Sequence, residues 1–83
     1  MTIDYWDADH PIRIQEQKFI RGEMLSADEI LRIPVDDYRA KRLRDILSGL
    51  ALGDVNVTAD PQARDLLRRR NECLWDRLLK NAL

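Results

Sequence analysis

The chain has 83 residues, a formal net charge of −1, one histidine and one cysteine. That length holds a single domain with one small core, and the lone cysteine and lone histidine exclude an internal disulfide and a Cys/His zinc site within one chain. Near-neutral charge offers no global attraction for nucleic acid or acidic lipid, no apolar run suits a signal peptide or membrane span, and a cytoplasmic location is expected.

Residues 1–10 read as an irregular acidic, aromatic arm containing Asp4, Tyr5, Trp6, Asp7 and Asp9, and residues 11–83 as one helical domain. Trp6 is read as a lid on the core in preference to a partner anchor, because a small core needs large apolar residues. Asp4, Asp7, Asp9 and His10 have hard-ligand chemistry but lack the glycine and spacing of a calcium loop, so no metal or cofactor is expected.

Pro11 suits a first helical turn, with Asp9 two residues ahead of it, and the helix should run from about Pro11 to Arg21 before Gly22. Ile12, Phe19 and Ile20 share one face of a 3.6-residue period. Ser26-Ala27-Asp28-Glu29 matches a capping box, and Pro34 limits the helix that follows to two turns. Asp36 or Asp37 should cap a third helix whose core face is Leu43, Ile46, Leu47 and Leu50, extended backward by Tyr38 and Ala40. Lys41, Arg44, Asp45 and Ser48 fall opposite, and the helix is expected to end between Gly49 and Ala51. Asp54–Thr58 reads as a short extended connection. Asp60-Pro61 is a strong start signal for a helix reaching to near Ala82. The expected fold is all-α: three main helices plus one short helix in a small bundle or open array, with a long amphipathic C-terminal helix.

In that last helix Ala63, Leu67, Leu74 and Leu78 form one stripe with Asn71 inside it. Leu66 and Cys73 widen the apolar arc on one side, and Trp75 and Leu79 on the other. A surface helix needs an arc of only about 100°. The excess reads either as a helix touched on two sides within its own bundle or as a core face beside an interface, with Asn71 setting register. Cys73 is read as structural, since nothing near it in sequence would activate a thiolate.

No enzyme is expected, because one histidine, one cysteine and scattered carboxylates supply no catalytic constellation. The leading reading is an interaction module, acting as adaptor, inhibitor or antitoxin-like regulator. It would dock on a larger protein or on itself as a homodimer through Trp6, Arg70, Asn71, Trp75 and Leu79. The alternatives are a nucleic-acid-binding regulator using Arg39, Arg42, Arg68 and Arg69, and a structural subunit of a larger assembly. Nucleic acid is not the preferred partner, because the bases of the last helix point several ways with Asp65, Glu72 and Asp76 among them. Charge is also uneven along the chain. Residues 1–37 hold nine acids and four bases (net −5), and residues 38–83 ten bases and six acids (net +4). The acidic half is expected to fold against the basic half.

Overall fold

The structure, a computed structural model, describes residues 4–81. It contains four α-helices: α1 (Pro11–Ile20), α2 (Ala27–Leu31), α3 (Tyr38–Leu52) and α4 (Pro61–Asn81). A 3-10 turn at Val55–Ala59 joins α3 to α4. No strand occurs among the described residues.

Most boundaries follow from side chains that satisfy orphan helix-end groups. Pro11 opens α1, but the cap is His10, whose Nδ1 accepts from the Ile12 amide at 3.1 Å; Asp9 does not serve. Ser26 Oγ accepts from the Glu29 amide at 3.4 Å. The Glu29 carboxylate does not complete the capping box; it accepts from Gln15 Nε2, which ties α2 to α1. Asp37, rather than Asp36, caps α3 through the Arg39 amide at 2.7 Å, and Asp60 caps α4 through the Gln62 amide at 2.8 Å.

Two helices stop on glycine in the left-handed region. After α1, Gly22 has φ 81°, and the amides of Gly22 and Glu23 donate to the carbonyls of Phe19 and Lys18. After α3, Gly53 has φ 74°, and the amides of Gly53 and Asp54 donate to Leu50 and Gly49. Both are paired-bond C-terminal caps that a side chain would strain. Helix α3 therefore runs past Gly49 to Leu52, which points to solvent. Gly49 is a packing residue: a Cβ there would lie 2.7 Å from Val57 Cγ2. The linker is not extended, because Asp54 accepts from the Asn56 amide and starts the 3-10 turn that delivers Val57 to Gly49.

The core comprises Ile12 and Phe19 of α1, Ile30 and Ile33, Ala40, Leu43, Ile46 and Leu47 of α3, Ala63 and Leu66 of α4, and Tyr5. Helix α2 packs on α3, and α4 lies mainly along α1 with a smaller contact to α3. Two residues assigned to the solvated side of α3 are drawn inward. Ser48 is buried, and Arg44 Nη1 donates to the Ile33 carbonyl at 3.0 Å, fastening the end of α2 to α3.

Acidic and basic halves do face each other, α1 against α4 and α2 against α3. Yet the ion pairs among the described residues stay within each half, apart from the neighbours Asp37 and Arg39. The halves are joined by apolar packing, by the Arg44–Ile33 hydrogen bond, by Arg39 over the Trp6 ring (4.4 Å) and by Arg70 over the Phe19 ring (5.4 Å).

Candidate functional site

Helix α4 is about 32 Å long, and its neighbours cover only part of it. Ala63 and Leu66 are buried, Leu67, Arg70, Cys73 and Leu74 are half-buried, and from Trp75 to Asn81 every residue is exposed. The covered side thus centres nearer Leu66 and Arg70 than the stripe through Leu67 and Leu78. That shift of roughly 60° around the helix turns Asn71 to solvent; it is not a core residue.

Coverage ends at Leu74. The left-handed turn after α1 brings Gly22 so close that a Cβ there would stand 2.9 Å from Leu74 Cδ2. Beyond that contact Trp75, Leu78 and Leu79 are 58%, 59% and 62% exposed. With Asn71 they span an arc of about 100° on one flank. Leu78 belongs to this flank although the sequence pattern placed it on the core stripe.

Arg70 is not on this flank. Its guanidinium lies over Phe19 and helps hold α4 to α1, a cation–π contact read from neither residue's spacing. Cys73 is half-buried and shares a shallow groove with Gln17 and Ile20 of α1.

Trp6 lies outside the core, 54% exposed, while Tyr5 is the buried aromatic at 6%. Tyr5 is therefore the lid. Arg13 organises this segment: its Nε donates to the Tyr5 carbonyl, its Nη1 pairs with the buried Glu16 at 3.0 Å, and its guanidinium sits 4.4 Å from the Tyr5 ring centre. The Arg39 guanidinium lies 4.4 Å and the Arg13 guanidinium 5.4 Å from the centre of the Trp6 ring, so this aromatic is already engaged within the chain.

The four arginines of the nucleic-acid reading do not form a free basic surface. Arg39 is held by Asp37, Arg42 by both oxygens of Asp60, Arg68 by Asp65 and Glu72, and Arg69 by Asp65. Hydrogen bonds from the Arg39 side chain and amide lower the Asp37 carboxyl to about 2. The Gln62 amide, then Arg42, lowers Asp60, and Arg68 lowers Asp65. These carboxylates stay charged at any physiological pH and offset the bases beside them.

The acidic arm does not gather ligands either. Asp4 Oδ1 accepts from the Trp6 amide, Asp7 Oδ2 accepts from the Asp4 amide, and His10 Nδ1 is committed to Ile12. No group of three or more potential metal ligands converges among the described residues. No described helix is long and apolar enough to cross a membrane.

Comparison with protein-family models, with curated proteins and with solved structures yields no match for this chain.

Proposed function

We propose that the chain is a small cytoplasmic interaction module without intrinsic catalysis, docking through the α4 flank that carries Asn71, Trp75, Leu78 and Leu79. The observation that carries this reading is the run of three large apolar side chains, each more than half exposed, on one side of two successive turns. Contiguous apolar patches larger than a few hundred Å² are uncommon on monomers and mark interaction surfaces. Trp75 is the natural anchor, since tryptophan is enriched among residues that dominate binding energy. Asn71, beside the patch, would fix register against a facing helix. A protruding amphipathic helix fits the groove of a larger protein or a second copy of itself, which is how an adaptor, inhibitor or antitoxin-like regulator would act.

Placing a photoreactive benzoylphenylalanine at position 75, with a control at exposed Asp45, tests this in the native cell. The expected result is a discrete adduct from position 75 only, with light scattering of the purified chain separating a homodimer from a heterologous complex. Equal, diffuse labelling from both positions contradicts the proposal.

A further inference from the structure

We propose that the cleft beside Arg70 is a binding site for a small carboxylate carrying a short apolar tail. The cleft lies where the end of α1 and the loop after it meet the end of α3 and the middle of α4, and it measures about 260 Å³. Phe19, Leu25, Leu50, Ala51 and Leu67 line it. Phe19 belongs to the core, and the other four are half-buried apolar residues packed against that core.

Arg70 and Glu23 are the charged side chains on its wall, and they are not equivalent. Glu23 is held by Arg21 at 2.6 Å, which offsets its charge. Arg70 takes part in no ion pair and no side-chain hydrogen bond among the described residues, and in this it differs from the other arginines. Most of those pair with carboxylates, Arg44 and Arg64 donate to the Ile33 and Thr58 carbonyls, and Arg32 and Arg77 are exposed. Arg70 alone is half-buried without an oxygen to receive its N–H groups. The Phe19 ring, 5.4 Å from the guanidinium, attracts the charge but supplies no such acceptor.

A charge partly withdrawn from water and left unpaired is unfavourable. A carboxylate can take two parallel N–H bonds from a guanidinium, and that contact is stronger at the edge of an apolar cleft than in open water. The walls specify the rest of the ligand. Apart from the two charged residues they present only apolar side chains, so the part that enters is apolar. Small-ligand pockets run from about 300 to 1,000 Å³. This cleft falls just below that range, which suits a short chain and excludes a helix. Met24, 97% exposed at the mouth, is a flexible apolar side chain able to fold over the bound tail. Trp75, Leu78 and Leu79 do not line the cleft, so the site is independent of the docking flank.

Titration of the methyl-labelled full chain with octanoate, and separately with 1-octanol, tests the site by NMR. The methyl shifts of Leu25, Leu50, Ala51 and Leu67 should move together with octanoate and saturate in the millimolar range expected of so small a ligand. Octanol, with the same tail and no charge, should bind about tenfold more weakly, read from the initial slope of the same shifts. Arg70→Gln should bring octanoate down to the level of octanol and leave octanol unchanged, and Ala51→Phe, which fills the cleft, should abolish both; far-UV dichroism checks that each variant is folded. Equal affinity of the wild type for the two ligands overturns the proposal without recourse to any variant. So do an absence of shifts, undiminished octanoate binding in folded Arg70→Gln, and shifts that spread equally to Leu78 and Leu79 on the uncovered flank.

Discussion

Gly22→Ala and Gly53→Ala form a matched pair that tests where α4 is covered. Both glycines end a helix in the left-handed region, with φ of 81° and 74°. A Cβ in that region costs about 1–2 kcal/mol wherever it stands. At Gly53 that is the whole effect, since nothing lies within 4 Å of the added atom. At Gly22 the Cβ meets Leu74 Cδ2 at 2.9 Å, the outer end of a flexible side chain. Leu74 can rotate aside, at a further cost of about 0.5–1.5 kcal/mol for an off-rotamer position. Gly53→Ala should therefore lose about 1–2 kcal/mol, and Gly22→Ala about 0.5–1.5 kcal/mol more than that, roughly 1.5–3.5 kcal/mol. In a domain this small each kcal/mol lowers Tm by about 4–8 °C, so urea and thermal unfolding resolve the difference. Leu74→Ala in the Gly22→Ala background should recover part of the excess. If Gly22→Ala is no worse than Gly53→Ala, the turn after α1 does not press on Leu74. The boundary between the covered and uncovered parts of α4 would then be misplaced.

Gly49→Ala gains about 1 kcal/mol of helix propensity but drives a Cβ to 2.7 Å from the stiff, β-branched Val57. The overpacking should win and the variant should be destabilised by up to about 2 kcal/mol, with the double-mutant cycle against Val57→Ala showing positive coupling in denaturant titrations. Asp37 is held at about 2 in the folded chain, against about 3.9 unfolded. Its contribution is therefore full above pH 4 and lost as pH falls through about 2. Urea midpoints should place wild type above Asp37→Asn at pH 5–7 and bring the two together toward pH 2; a constant gap would refute the pairing.

What was legible in the sequence is what a few adjacent residues decide. Ser26, Asp37 and Asp60-Pro61 announce helix starts because the capping bond spans two or three residues. Gly53 ends α3 for a similarly local reason. The end expected between Gly49 and Ala51 falls short of it, and only the non-local arrival of Val57 makes Gly49 a packing residue inside the helix. His10 was passed over because imidazole is not among the usual N-cap side chains. The choice between Tyr5 and Trp6 as the lid depended on the turn preceding α1 and on Arg13, eight residues beyond Tyr5. For α4 the breadth of the apolar arc was plain, but not which part of it the body covers. Arg70 over Phe19 and Leu74 under Gly22 settle that, and both contacts bridge about fifty residues of sequence.

The central claim is that the second half of α4 is surface held for a partner. The triple variant Trp75→Ser, Leu78→Ser, Leu79→Ser tests it most directly, with stability by urea unfolding and association by light scattering and by pull-down of the partner that the position-75 cross-link identifies in the otherwise unaltered chain. Unfolding free energy should stay within about 1 kcal/mol of wild type, since exposed positions rarely matter more, while the complex is lost. Loss of the folded state, at the several kcal/mol typical of emptied core positions, or a complex that survives the triple change, would contradict it.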